Sequence, residues 1–474
     1  MALPPVNDPA EQAGIRLFDS ASGAVRPLRR REPGRVSMYV CGPTVYDVPH
    51  LGHGRFSLVF DVLRRYLRFS GLEVHYVSNI TDVDDKILAR AAAEGRSPQA
   101  VAEEFEAIWW SVMDALGVER PDDVPHATAW VPAMVEMVQE LVARGVAYET
   151  DDGVYLDVGQ VPGYGLLALQ PLDTLRAGAR VVSTDAKRSP HDFALWKKAA
   201  DGHSWPSPWG PGRPGWHTEC VVMSLGLLGE GFDLHGGGQD LRFPHHENER
   251  AQAVAAGRAF AGHWVHNGFV EAGGEKMSKS LGNFTSLTEL LEQADPRAFR
   301  LLVLRSHYRR GIEVSPATVA DAGDALARLD ALARRFPDAA GQGRQITSVS
   351  ELRAESEAEA ATFVERMDDD LDTPGALAAV FDIVRRAHGA ADAGEVADAD
   401  RLARCAVSLC QAMGLELHGD ALDTPDAAAA ELVTRRDDAR AKRDWPLADA
   451  LRAQLEESGW VVEDSPAGTR LRRA

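Results

Sequence analysis

Two thiols, an imidazole and a carboxylate stand at Cys41, Cys220, His245 and Glu249. Together they are a donor set for a tetrahedral zinc ion, which takes sulfur, nitrogen and carboxylate oxygen. His245 and Glu249 lie four apart in PHHENERAQAVAAG, which reads as a helix opened by Pro244 and closed by Gly257. Spacing of four puts both on one helix face. The cysteines are far apart in the chain, with no CxxC between them. Spacing alone therefore leaves room for a duller reading, two inert buried thiols and some surface polars. The polar neighbours of Cys220, in PGWHTECVVMS, weigh against it. Cys405 and Cys410, in RLARCAVSLCQAM, read as small buried hydrophobes.

A second group is PHLGHGR, with His50, Gly52, His53 and Gly54 where a loop meets a helix. A helix N-terminus offers free N–H groups to a phosphate. The glycines let a ring or phosphate approach the backbone, and two histidines three apart can donate to a charged transition state. A glycine-rich turn with incidental histidines fits as well. The third group is GGEKMSKSLGN, residues 273–283. Lys276 and Lys279, with small hydroxyls between glycines, suit a loop that neutralises a polyphosphate. A lone KxxK is more often an ordinary basic loop; the string KMSKS is far more specific.

These groups need a scaffold. Val36, Met38 and Val40 alternate with polar residues and predict a strand; Phe56, Val59, Phe60, Leu63 and Leu67 predict a helix that Gly71 stops; EVHYVSNI predicts a second strand. Strand, loop, helix, strand is a βαβ unit, with its ligand expected at the carboxyl ends of a parallel sheet. VAYETDDGVYLDV predicts a hairpin inside an insertion over about 120–205. The sheet resumes at FDLHGGGQD and WVHNGFVEA. FTSLTELLEQA is a helix capped by Ser286, with Glu289 three residues later. Residues 321–415 have helical period and predict a bundle. Residues 431–454 read as one more charged helix, and GWVVED with TRLRRA as a terminal hairpin. Residues 1–34 read as a polar lead-in, partly mobile, with a basic knot at Arg29, Arg30 and Arg31.

The chain has 474 residues, 45% hydrophobic and 26% charged, the balance of a globular protein of about three domains. No apolar run reaches the roughly 20 residues of a membrane span, and MALPPVNDPAEQAG lacks the form of a secretory signal. The expected place is the cytoplasm. Four cysteines in a chain of this length point to metal or catalysis rather than bridges. A net charge of −20, from 71 acidic and 51 basic side chains, argues against a nonspecific nucleic-acid coat but not against local basic patches.

HLGH and KMSKS are together the two signatures of class I aminoacyl-tRNA synthetases. CGPTVYD, NITDVDDKI, SPHDFALWK, GRPGWHTEC, DLHGGGQDLRFPHHENE and EKMSKSLGNF narrow the likeness: from about residue 36 to its end, the chain resembles cysteinyl-tRNA synthetase. The resemblance implies an α/β protein. A class I Rossmann-type catalytic domain over 1–320 carries the insertion and a KMSKS region at 252–320. A helical bundle (321–415) and a small α+β anticodon-binding domain (416–474) follow. It implies one zinc per chain on Cys41, Cys220, His245 and Glu249, with the substrate thiol bound to the metal. It implies ATP, with magnesium, at His50, Gly52, His53, Lys276 and Lys279. Thr81, Trp216, His235 and Asp240 fall to the amino-acid pocket, where Trp216 closes over the side chain. Cysteine would be activated to cysteinyl-adenylate and passed to the 3′ end of tRNA(Cys), by a monomer.

The nearest rival keeps this catalytic domain but joins activated cysteine to an amino-sugar in low-molecular-weight thiol synthesis. Arg435, Arg436, Arg440, Lys442 and Arg443, followed by Trp445 and by Arg470, Arg472 and Arg473, speak for tRNA, since basic groups beside an aromatic suit phosphates and bases. Ion pairs to Asp437 and Asp438 on a solvated helix are the plainer account. A dead RNA-binding paralogue is disfavoured because every ligand and both signatures are intact. A zinc hydrolase is disfavoured because the protein itself would fill the fourth ligand position.

Overall fold

The computed structural model describes residues 14–169, 187–199, 203–271, 286–340, 345–419, 427–465 and 468–473. The chain divides into two compact units. One comprises Met1–Ala327, Ile346–Asp382 and Ser408–Glu416; the other comprises Arg328–Gln345, Ile383–Val407 and Leu417–Ala474.

In the first unit the first described elements are a hairpin, β1 (Arg16–Asp19) and β2 (Ala24–Pro27). This corrects the lead-in reading over residues 14–34, while residues 1–13 lie outside the described residues. Gly23, at φ +69°, supplies the left-handed turn, and Asp19 accepts from Arg26 Nε at 2.9 Å. Next come β3 (Arg35–Val40), α1 (Leu51–Phe69) and β4 (Glu73–Ser78), the expected βαβ unit. Val36, Ser37, Met38, Tyr39 and Val40 are all buried. The alternation in the sequence therefore marks a strand covered on both faces, as parallel sheets are. Ser37 is accommodated because its hydroxyl donates to Asp233 at 2.7 Å.

Helices α2 (Asp85–Glu94), α3 (Pro98–Ala115) and α4 (Ala127–Ala143) lead into an antiparallel sheet of β5 (Ala147–Glu149), β6 (Gly153–Leu156), β7 (Phe193–Lys198) and β8 (Gly212–Pro214). This is the insertion; its last strand lies past residue 205. Helix α5 (Trp216–Leu228), β9 (Leu234–Gly238), α6 (Glu247–Ala255) and β10 (His263–Asn267) return the chain to the main sheet. That sheet is all-parallel, in the order β10-β9-β3-β4. Its order reverses at β3, where a ligand crevice is expected beyond the carboxyl ends. Gly236 on β9 faces Phe60 of α1 so closely that a Cβ there would sit 2.3 Å from the ring. The bare glycine is what lets α1 lie against the strand.

Strand β11 (Val270–Glu271) precedes α7 (Leu287–Gln293) and α8 (Pro296–Leu304), and pairs in parallel with β12 (Ile312–Glu313). As expected, Ser286 Oγ accepts from Glu289 N at 3.1 Å. The buried Arg55 of α1 donates to the carbonyls of Phe269, Tyr308 and Arg310, tying α1 to the segments that lead into β11 and β12. Asp61, also buried on α1, pairs with Arg300 of α8 at 2.6 Å. Lys276 and Lys279, with the rest of KMSKS, lie outside the described residues.

The stretch read as a bundle is helical: α9 (Pro316–Arg335), the short α10 (Pro337–Ala340), α11 (Val349–Asp368), α12 (Thr373–Asp392) and α13 (Val396–Ala412). In the second unit, α14 (Ala427–Ala441) and α15 (Trp445–Glu457) precede the hairpin β13 (Trp460–Ser465) and β14 (Gly468–Arg473). Ala429, Leu455, Trp460, Val462 and Leu471 form a small core there. The single helix expected over 431–454 is thus two. Arg443 takes φ +59°, Asp444 caps the new helix by accepting from Leu447 N at 3.3 Å, and Pro446 sits in its first turn.

Candidate active site

Cys41 follows the end of β3, Cys220 lies in α5, Glu249 lies in α6, and His245 stands in the turn before α6. The helix begins at Glu247 rather than Pro244, yet the spacing of four still delivers both side chains to one point. Cys41 Sγ is 3.5 Å from Cys220 Sγ, 3.6 Å from His245 Nε2 and 3.4 Å from Glu249 Oε1. Cys220 Sγ is 3.7 Å from His245 Nε2, and His245 Nε2 is 2.9 Å from Glu249 Oε1. All four residues are buried. Sulfurs 3.5 Å apart are not bonded to each other; they are spaced as two ligands on one ion are.

Charge within this cluster is shared unequally. Burial and the neighbouring Cys220 push the Cys41 thiol well above the usual range. The hydrogen bond from Cys41 brings Cys220 down to about 6 against the opposing effect of burial. Burial would lower His245, but Glu249 and Cys220 outweigh it and raise the ring to about 10. Burial likewise opposes Glu249, yet His235 and His245 hold it well below the carboxylate range. Protons thus stand on Cys41 and His245, where a divalent cation would displace them.

Supporting residues orient the set. His235, fully buried on β9, reaches Glu249 Oε2 through its Nε2 at 2.7 Å. His217 Nδ1 meets His245 Nδ1 at 2.8 Å, and Trp216 stacks on His245 with ring centres 4.0 Å apart. Thr81 Oγ1 donates to Glu219 at 2.9 Å and accepts from Asn79 Nδ2 at 3.1 Å. Burial, and then Cys220, raise the Glu219 carboxyl well above its usual range. The sequence reading did not single out His217, Glu219 or Asn79. The polar string HTEC was the signal for the first two. Gly42 comes so close to β4's end that a Cβ would lie 1.6 Å from Asn79 O, so no other residue fits there.

His50 caps α1, and His53 answers it. The Nδ1 of each ring accepts from the other's backbone N–H at 3.2 Å, and the rings stack 3.6 Å apart. Burial, and then His50 and Lys86, hold His53 down at about 3. Both rings are then neutral, with their protons on Nε2. A Cβ on Gly52 would meet the His50 ring at 3.0 Å. Beside the cluster a cavity of 890 Å³ is lined by Lys86, Trp216, His217, Asp240 and His245 among others. Asp240 is exposed, so of the four expected pocket residues Trp216 and Asp240 line this cavity, while Thr81 and His235 are buried near the cluster.

In the second unit Arg435, Lys442, Arg443 and Trp445 are exposed and Arg440 is half-buried. Arg436 is not on the surface. It is 2% exposed, and its guanidinium donates to Thr469 Oγ1 of the terminal hairpin at 2.5 Å.

Residues 27–324 match the family model described as the tRNA synthetases class I (C) catalytic domain, 362–418 the DALR domain, and 423–472 the cysteinyl-tRNA ligase anticodon binding domain. A cysteine–tRNA ligase of Ralstonia nicotianae is 46% identical over 471 residues, spanning 97% of this chain and 99% of that protein. One from Moorella thermoacetica is 42% identical over 474 residues, spanning 97% and 100%. Among solved structures, the Mycobacterium tuberculosis methionyl-tRNA synthetase in complex with methionyl-adenylate superposes with a TM-score of 0.57. It is 16% identical and covers 87% of this chain and 96% of that one, a likeness of fold.

Proposed function

The chain belongs to the cysteine–tRNA ligase family of class I aminoacyl-tRNA synthetases, and on that footing we propose that Cys41, Cys220, His245 and Glu249 hold zinc. The observation that carries this is the closing of four donors, from separate parts of the chain, to mutual distances that one ion can span. The donor set also fits chemically: two sulfurs, a nitrogen and an oxygen suit a borderline-soft cation. With Nε2 of His245 as ligand, its Nδ1 carries the proton and donates to His217. Bound there, zinc would take a thiol as thiolate and an alcohol only weakly, which sets cysteine apart from serine far better than a pocket can.

The activity is that of a cysteine–tRNA ligase. ATP and magnesium serve the first step, in which the cysteine carboxylate attacks the α-phosphate and pyrophosphate departs. The 3′-terminal ribose hydroxyl of tRNA(Cys) then attacks the acyl carbonyl. Neither step uses an enzyme nucleophile, so positioning and charge stabilisation carry the rate. We assign His50 and His53 to the phosphates as neutral Nε2–H donors. The backbone at Gly52, with Lys276 and Lys279, completes the ATP site. Trp216 covers the bound cysteine. Thr81, with Asp240, fixes its amine, and His235 acts through Glu249.

The match to an anticodon-binding domain favours tRNA over an amino-sugar as acceptor. We divide the protein into a catalytic domain over 1–320, a bundle over 321–415 and an anticodon-binding domain over 416–474. Arg435, Arg440, Lys442, Arg443 and Trp445 are assigned to tRNA, while Arg436, buried against Thr469, instead supports the domain. Among the described residues no helix is long and apolar enough to cross a membrane. We read the protein as a cytoplasmic monomer. The test is transfer of labelled cysteine to a tRNA(Cys) transcript, with an amino-sugar acceptor in parallel. Charging supports the reading; amide formation on the sugar without charging overturns it.

A further inference from the structure

Lys86 stands where a lysine gains nothing from its own helix. It is the second residue of α2, whose N-terminus is capped by Asp84. A cation there opposes the helix dipole. The obvious partner, Asp85, is engaged elsewhere: it pairs with Lys197 at 2.7 Å and with Arg213 at 3.4 Å. Among the described residues Lys86 has no carboxylate within ion-pair distance. Its Nζ is instead held over the Tyr46 ring, 4.5 Å from the centre and 3.4 Å from the hydroxyl. Tyr46 belongs to the loop that joins Cys41 to His50. Lys86 lines the 890 Å³ cavity together with Trp216, Asp240 and His245. Burial depresses both His50 and His53, and the charge of Lys86 adds to the effect in each. An ammonium held only by Tyr46 thus lines the cavity beside the Cys–His–Glu cluster, and its charge reaches both His50 and His53.

We propose that Lys86 is a further catalytic residue, whose ammonium contacts a non-bridging oxygen of the ATP α-phosphate while the cysteine carboxylate attacks it. The inference rests on the activation step assigned above. In that step the carboxylate oxygen forms a bond to the α-phosphorus, and the bond from that phosphorus to the bridging oxygen breaks. Pyrophosphate leaves with the electron pair. Lys86 transfers no proton; it offsets the negative charge that gathers on the α-phosphate oxygens. Two neutral histidines donate hydrogen bonds but bring no charge, so a fixed cation complements them.

The experiment is cysteine-dependent ATP–pyrophosphate exchange by the full-length protein, its Lys86→Met variant and its Lys86→Arg variant, with single-turnover transfer to tRNA(Cys) measured alongside. Lys86 is exposed, and a thermal melt of each variant checks that it folds. The expected result is a fall in exchange kcat on the order of 10²-fold for Lys86→Met, partial recovery in Lys86→Arg, and a KM for cysteine within about twofold of the parent. Exchange by Lys86→Met within about threefold of the parent overturns the proposal. So does a loss confined to the transfer step, which would give Lys86 to the acceptor end of the tRNA. If the parent itself shows no exchange, the activation step falls, and this inference with it; parental exchange with an unimpaired Lys86→Met removes the inference alone.

Discussion

His50 and His53 bind each other's backbone: each Nδ1 accepts from the other's N–H at 3.2 Å, and the rings lie 3.6 Å apart. This reciprocal cap does two things at once. It closes the N-terminus of α1, and it fixes both tautomers so that Nε2–H is left to donate. A side chain chosen for capping alone would be serine or aspartate, neither of which offers a donor in that direction.

His53→Ala is therefore expected to lower pyrophosphate exchange by roughly 10²-fold, as loss of a transition-state donor does. The missing cap contact should cost no more than about 1 kcal/mol of stability. Nitrogen NMR of the parent should show both rings neutral and protonated at Nε2 at pH 7. A doubly protonated His53 at that pH would contradict the geometry.

Cys220→Ser exchanges a soft ligand for a hard one that keeps its proton. Metal analysis after gel filtration should show zinc lost, and cysteine activation should vanish with it. Full zinc content together with normal activation would remove Cys220 from the ligand set.

Gly54 of α1 faces Leu287 and Phe299, and a Cβ there would lie 2.7 Å and 2.9 Å from them. Gly54→Ala should destabilise the fold by about 1–3 kcal/mol through overpacking. Chemical denaturation measures this; an unchanged midpoint would mean that α7 and α8 yield freely.

His263 of β10 is buried, its Nε2 against Leu17 O at 3.1 Å, and burial holds it down at about 4 despite Asp19. A histidine whose folded value lies below its unfolded value of about 6.5 costs stability as acid is added. Its contribution is intact above about pH 6.5 and declines from there to about pH 4, by at most roughly 3 kcal/mol. His263→Gln should flatten that limb of the stability profile. An acid limb of unchanged slope would show that other groups set it.

Trp445 is 55% exposed beside Arg443 and Lys442. Trp445→Ala should reduce kcat/KM for tRNA charging by about 1–3 kcal/mol if a base stacks there, whereas exchange, which needs no tRNA, should hold. Equal charging by variant and parent would move the tRNA contact elsewhere.

The catalytic half was legible because its chemistry is written in strings. HLGHG predicts a helix N-terminus, and the four clustered side chains are marked by their donor atoms. The supporting residues were harder to find. His217 and Glu219 look like ordinary polar residues until the fold sets them against His245 and Thr81. Elements governed by a single backbone angle were also missed. The break after α14 turns on Arg443 at φ +59°; the side-chain period of 431–454 runs through it, and the helix start written in Asp444 and Pro446 was passed over. The first hairpin was hidden because two four-residue strands carry too few apolar positions to show alternation. Arg436 looked like a surface cation because its neighbours are; only the hairpin folding over it makes it internal.

The order of the main sheet has a consequence for biogenesis. Strand β3 finds β4 at once, but its other neighbour, β9, lies some 196 positions further on, as the bond between Ser37 and Asp233 records. At about 5–20 residues per second, a ribosome takes roughly 10–40 s to deliver it. For that interval one edge of VSMYV is open, and Cys41 has neither its partner thiol nor its carboxylate. The Cys–His–Glu cluster is thus a late event on the translation clock, and its closure marks the moment at which the sheet has lost its sticky edge.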